Sequence, residues 1–235
     1  MTTAEILREL ENYGDAQTKK TLMRHGAREP FFGVKVQDLK KILKKTKKNH
    51  ELSLELYSTG NSDAMYLAGL MADEKKITEA QLNNWVEKAY WFYLNEFTVP
   101  MVAAETPFGF ELAMKWIGSQ DERIASAGWS TLSFYAGLRK DEDLDISVYS
   151  SMLDKVENEI HSSQNRVRHT MNGFVIATGI HIKELTGKAK EVSSKVGKVN
   201  VDMNGTACKV PSASEYIDKS IAIGQIGKKR KSSRC

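Results

Sequence analysis

The chain has 235 residues, of which 41% are apolar and 27% charged, with a net charge of +4. That length can bury a core as one domain or as a repeat array without a disulfide or metal staple. No apolar run approaches the roughly 20 residues that span a bilayer, and Glu5, Arg8 and Glu9 interrupt what would be the uncharged core of a secretory signal. Only two cysteines occur, Cys208 and the terminal Cys235, so no disulfide framework is expected and a reducing, cytoplasmic setting without membrane is the natural reading.

Helix signals begin at the N-terminus. Capping-box patterns occur at Thr2 with Glu5, Thr78 with Gln81, Ser119 with Glu122 and Ser212 with Glu215, each ahead of an amphipathic run. Apolar residues at Val36, Leu39, Ile42 and Leu43 have helical spacing, with lysines on the opposite face. Stripes of the same kind follow at Leu82, Trp85, Val86 and Ala89, then at Leu112, Trp116 and Ile117. Breaks at Gly14-Asp15, Gly60-Asn61, Pro107, Gly118-Ser119, Gly137 and Ser162-Ser163 divide the chain into helices of about 10 to 16 residues. Period-two alternation is confined to Val199-Asn-Val-Asp-Met203, which argues against a sheet protein. The fold class expected is all-α: a HEAT-like solenoid of stacked antiparallel helix pairs over residues 1–196, with a compact bundle as its rival. Residues 197–235 are expected to form a C-terminal extension with one short helix, from Ser212 to Ile223, and a basic tail.

Charge is unevenly distributed. Residues 181–235 hold 12 Lys and Arg against 5 Asp and Glu, and residues 35–48 hold seven lysines against Asp38 alone. Such blocks suit a polyanion, nucleic acid before membrane, although a solvated helix face explains the block at residues 35–48 equally well. The last stretch, with Lys228, Lys229, Arg230, Lys231 and Arg234 and little apolar surface, reads as an exposed arm that grips phosphates.

Chemistry has few places to sit. Thr186-Gly-Lys188 lacks the Ser or Thr and the upstream glycine of a phosphate loop. The histidines at 25, 50, 161, 169 and 181 lack the spacing of a zinc site, so neither metal nor cofactor is expected. The segment Tyr90-Trp-Phe-Tyr-Leu-Asn-Glu-Phe-Thr-Val-Pro100 sets five aromatics around Glu96. On a helix Phe92 and Glu96 share one face and Trp91 and Asn95 the next. A desolvated carboxylate there could stabilise positive charge beside rings that pack on sugars or bases; the alternative is that the rings are core and Glu96 lies at its edge. In Ser163-Gln-Asn-Arg-Val-Arg-His-Thr-Met-Asn-Gly-Phe-Val-Ile176, Arg166 and Arg168 open a helix and are candidate phosphate ligands, with exposed arginines of no function as the equal alternative.

The order of helices, the segments 91–100 and 166–174, and above all the ending Thr206-Ala-Cys-Lys-Val-Pro211 with Gly227-Lys-Lys-Arg-Lys231 and Arg234-Cys235 resemble the bacterial DNA alkylation repair family, the AlkC/AlkD-type group. The resemblance implies a helical solenoid that holds DNA in a concave basic groove. It implies Glu96 at the position of the catalytic aspartate, with Phe92 and Phe174 where the active enzymes have tryptophans and Ser126 where they have an arginine. Glu96 is thus the catalytic candidate, and Trp91, Phe92, Phe174, Arg166, Arg168 and the five tail residues are the DNA-binding candidates. Three readings follow: a monomeric glycosylase that releases N3- or N7-alkylated purines from duplex DNA, a non-catalytic relative that binds branched or distorted DNA, and a helical-repeat protein scaffold.

Overall fold

The computed structural model describes residues 1–234; Cys235 lies outside the described residues. Among these there are thirteen α-helices and no strand, and none of the helices is long and apolar enough to cross a membrane. In chain order they are α1 (Thr3–Tyr13), α2 (Ala16–Arg24), α3 (Val36–Thr46), α4 (His50–Ser58), α5 (Ser62–Met71), α6 (Glu79–Lys88), α7 (Val99–Glu105), α8 (Gly109–Ile117), α9 (Glu122–Leu138), α10 (Ile146–Glu159), α11 (Asn165–His181), α12 (Thr186–Val196) and α13 (Ala213–Ala222). A π-helical turn, Tyr93–Thr98, leads into α7.

Local chemistry sets most of the boundaries. Thr2 and Thr78 form complete capping boxes with Glu5 and Gln81, whereas Ser212 accepts from the Glu215 amide without reciprocation. The expected box at Ser119 is replaced: Asp121 caps α9, and the Ser119 hydroxyl accepts from the Asp121 amide instead. A carboxylate at that position also complements the positive end of the helix. The Val199 to Met203 alternation forms no strand; the segment is irregular, with Val199 buried against the neighbouring helices.

The helices stack as consecutive pairs. α4 lies on α5, α8 on α9 and α10 on α12, while α9 packs against α7 and α11, and α11 in turn against α12 and α13. Two apolar clusters result, one running from α1 to the near faces of α8 and α9 and one from α8 and α9 to α13. α5 is buried along its whole length, and Gly69 lets it approach the π turn so closely that a Cβ there would stand 2.5 Å from the Thr98 methyl. Buried hydroxyls tie helices together: Tyr57 donates to the Trp85 carbonyl at 2.8 Å with its ring stacked on that indole, and Tyr149 donates to the Leu132 carbonyl. Each meets a requirement that a polar group out of water be paired.

The C-terminal tail is not a free arm. It runs back along one edge of the stack and fills the carbonyl ends of four helices. Lys229 donates to the Ala136 and His181 carbonyls at 2.9 and 2.7 Å and pairs with Asp141 at 2.7 Å, and the Arg230 amide donates to the Gly137 carbonyl. Farther on, Ser233 donates to the Met101 carbonyl at 2.6 Å. Arg234 reaches the Ala72 carbonyl, Glu74 and Glu105. The physical reason is that helix C-termini gather unsatisfied carbonyls and partial negative charge, which a cationic strand of the same chain reaches at high effective concentration. The sequence reading of Lys229 and Arg234 as phosphate ligands is therefore corrected; Lys228, Arg230 and Lys231 keep exposed side chains.

Two outcomes follow for stability. Deleting residues 228–235 strips donors from the ends of α5, α7, α9 and α11, and at about 1.5 kcal/mol or more per charge-assisted bond lost it lowers the midpoint of thermal unfolding by several degrees. A melt unchanged by the deletion would refute the strap. His181 donates from Nδ1 to the Lys228 carbonyl at 2.9 Å, and burial foremost, with help from the Arg230 and Lys229 charges, pushes its pKa below the ordinary 6.5. The unfolded chain then binds a proton that the folded chain refuses, so stability falls as pH drops below about 6.5. Denaturant midpoints between pH 5 and 8 should show this slope, reduced in His181→Asn.

A candidate DNA-binding site closed by an internal ion pair

The aromatic segment and the start of α11 meet where the two halves of the stack join. Glu96 lies on the π turn, an arrangement recurrent at functional sites because it re-aims one residue within a helix. The Thr98 hydroxyl donates to the Tyr93 carbonyl at 2.9 Å, closing the wide turn. Asn95, also buried, donates to the Arg123 carbonyl at the head of α9.

Glu96 is 2% exposed and faces Arg166, 70 residues away in the chain. The guanidinium donates from Nε to Oε1 and from Nη2 to Oε2, both at 2.6 Å. This is the two-pronged geometry in which arginine binds carboxylate most strongly. His169 Nδ1 stands 3.4 Å from Oε2. Arg166 is held from three further directions: its amide donates to Glu122 at 2.7 Å, its Nη1 lies 3.6 Å from the Met203 sulfur, and its guanidinium sits 5.0 Å from the centroid of the Phe92 ring. Phe92 and Glu96 do share one face, as helical spacing implies, and what they share is this cation.

On the Arg166 side of the pair lies a cavity of about 280 Å³, which Glu96 does not line. α2 and its C-cap supply Leu22 and His25, the π turn and the residue before it supply Phe92, Tyr93 and Phe97, α11 supplies Arg166 and His169, and the extension closes over it with Met203, Asn204 and Cys208. His25 meets Phe92 edge-on, and Phe97 is the most exposed of the rings at 38%. A wider concavity of about 630 Å³ opens beside Met203 and Cys208, between α12 and the extension, but no carboxylate or aromatic ring lines it.

Several residues singled out from the sequence lie elsewhere. Trp91 is 6% exposed and packs on Tyr93 and Phe92. Phe174 is fully buried between Trp129 and Tyr149. Both are core, as apolar rings on inward helix faces should be, and neither can touch DNA. Ser126 is fully buried as well. Arg168, about 200° around α11 from Arg166, donates to Asn165, which also anchors Asp202 of the extension. What the sequence reading missed is that Arg166 partners Glu96, and that His25, Phe97 and Met203 belong to the same cavity; no local pattern signals contacts between segments so far apart.

The chain has relatives on record. The family of the DNA alkylation repair enzyme matches residues 6–216. An uncharacterized protein of Listeria innocua, Lin0241, is 33% identical over 225 residues, covering 93% of this chain and 97% of its own, and the uncharacterized Lmo0209 of Listeria monocytogenes is 32% identical with the same coverage. A solved structure superposes with a TM-score of 0.93 at 40% identity over all of both chains; it is described as a new family of proteins related to the HEAT-like repeat DNA glycosylases with affinity for branched DNA structures.

The ion pair can be tested directly. Arg166→Met leaves a buried, uncompensated carboxylate and should cost about 3 kcal/mol in urea unfolding. Glu96→Leu combined with Arg166→Met should recover most of that loss, since an apolar pair carries no desolvation penalty. A double variant as unstable as the single one would show that the pair is not what holds this joint.

Proposed function

The chain belongs to the DNA alkylation repair enzyme family, a group of HEAT-like helical solenoids that bind DNA, and we propose that it is a non-catalytic member that recognises branched or distorted DNA. The observation that carries this reading is the occupied carboxylate: both oxygens of Glu96 are engaged by Arg166 at 2.6 Å. A glycosylase of this kind needs an anion aimed at the sugar to stabilise developing oxocarbenium charge. Here the guanidinium already cancels that charge, and drawing it away would strand a carboxylate that is 2% exposed. That cost, several kcal/mol, would be added to the barrier that the anion is meant to lower.

The solved relative with affinity for branched DNA, alike over the whole chain, supports the same reading. On this proposal the protein acts as a monomer in the cytoplasm, with Arg166 and Phe92 as structural parts of the groove floor and with exposed cations supplying the phosphate contacts. Of the tail, only Lys228, Arg230 and Lys231 have side chains free to take part. One observation favours excision of N3- or N7-alkylated purines from duplex DNA instead: a carboxylate is retained beside an aromatic cavity.

Base release separates the two. Incubated with methylated DNA, the protein should liberate no 3-methyladenine or 7-methylguanine above a Glu96→Gln control, while gel shifts show tighter binding to three-way or four-way DNA than to duplex of equal length. Release above the control would overturn the non-catalytic reading.

A further inference from the structure

Helix α2 contributes almost nothing to the core, yet it is held firmly. None of its nine residues is buried; Leu22 alone leans on the first apolar cluster. Its fastening is elaborate. The Asp15 side chain caps it by accepting from the Thr18 amide and hydroxyl at 2.7 and 2.6 Å. The loop that follows is clamped by buried Asp63, which accepts from the amides of Phe32, Gly33 and Val34 at 2.6, 3.0 and 3.0 Å. Gly33, at φ +81°, passes so close to Lys19 that a Cβ would stand 2.6 Å from its backbone nitrogen. Burial raises the Asp63 carboxyl above its usual range against the pull of those three amides, so the clamp carries a desolvation cost. The clamp seats Phe31 and Val34 in the first core, and α2, which buries no side chain itself, is held in place through it. The outward face of α2 is thereby presented in a fixed position.

That face has a definite chemistry. Lys20, Met23 and Arg24 stand at positions i, i+3 and i+4 and so project together, and Arg28 follows with its guanidinium 4.3 Å from the Tyr90 ring centroid. α2 contains no acidic residue, and among the described residues none of Lys20, Arg24 and Arg28 pairs with a carboxylate. Met23 is 51% exposed in the middle of these cations. Leu22 and His25, on the inward side of the same turn, line the cavity over Arg166 and Phe92. An unbranched apolar side chain ringed by uncovered positive charge fits one partner: a nucleic-acid backbone with an accessible gap between bases, into which apolar residues wedge while cations hold the flanking phosphates.

We infer that α2 is the branch-point contact of the DNA surface, with Met23 as the wedge at an unstacked step and with Lys20, Arg24 and Arg28 as the phosphate ligands beside it. The inference rests on the branched-DNA reading above and adds the residues that distinguish a branch from a duplex.

Fluorescence-anisotropy titrations with the full chain test it, using a four-way junction and a duplex of equal length across a salt series. Met23→Ala should keep its melting temperature and its duplex affinity, yet lose about tenfold in preference for the junction; Met23→Leu should retain that preference. Lys20→Ala, Arg24→Ala and Arg28→Ala combined should lower the slope of log affinity against log salt by about 2 to 3, at roughly 0.9 per contact, on both DNA forms. A Met23→Ala protein that keeps the wild-type preference, or a triple variant that keeps the wild-type slope, overturns the inference. If the wild-type chain binds junction and duplex alike, the branched-DNA reading itself falls and the wedge with it; the salt slope on duplex still decides whether α2 carries the phosphate ligands.

Discussion

A carboxylate that is almost wholly out of water must be neutralised, and Glu96 meets that demand through Arg166. Because the two residues come from the π turn and the head of α11, the pairing forces the first half of the stack to meet the second at one fixed joint. Around it, Asn95 bonds to the head of α9 and Glu122 bonds back to α11. Phe92 lies against the guanidinium, and Met203 brings the extension down onto it. A buried pair of this kind contributes little net stability, since the desolvation of both ions offsets their attraction. Its effect is geometric: any arrangement that separates the partners is heavily penalised, so the joint has one register.

A second electrostatic seam closes the opposite ends of the same helices. α9 and α11 are 17 residues each, so about 25 Å separates their heads, where Arg123 and Arg166 sit, from their tails, where Lys229 and Arg230 are bound. At the N-terminal edge the positive helix ends are met by carboxylates, Asp121 capping α9 and Glu122 accepting from the Arg166 amide of α11. The C-terminal edge, which would otherwise repel a polyanion, is covered by the chain's own cations. Strap and ion pair thus act on the two ends of one layer. Both join the first apolar cluster to the second, the strap by reaching from the end of α11 to Glu74 and Glu105.

The stacked helices were legible in the sequence because their causes are local. Thr2 with Glu5 and Thr78 with Gln81 announce helix starts through contacts three residues apart, and the Leu39 and Ile42 stripe declares its inward face. The site was legible only as composition. The crowd of rings around Glu96 and the arginines at 166 and 168 could be marked, but which arginine turns inward depends on the joint between two distant segments. The tail misled for a related reason. Lysine and arginine runs with little apolar surface usually stay in solvent, and nothing in the local sequence says that four helix ends will line up to receive one. The choice of Trp91 and Phe174 as DNA contacts failed more simply: rings at helical spacing point where the core is, and here both point inward.

Binding and catalysis make different demands on the same groove, and the residues divide accordingly. A catalytic carboxylate must be poorly solvated yet unpaired until charge develops on the substrate, a state that a protein can maintain only by holding neighbouring cations away. This chain has done the reverse at Glu96, bringing an arginine into two-pronged contact and stacking it on Phe92. The same pairing spends the Nε–Nη2 edge of Arg166 on Glu96 and leaves only Nη1, beside the Met203 sulfur, facing the cavity. On the branched-DNA reading proposed above, most of the phosphate contacts then fall to cations outside the joint. The uncovered ones on α2 stand beside Leu22 and His25, which line the cavity, and the loop that follows them is fixed by Asp63.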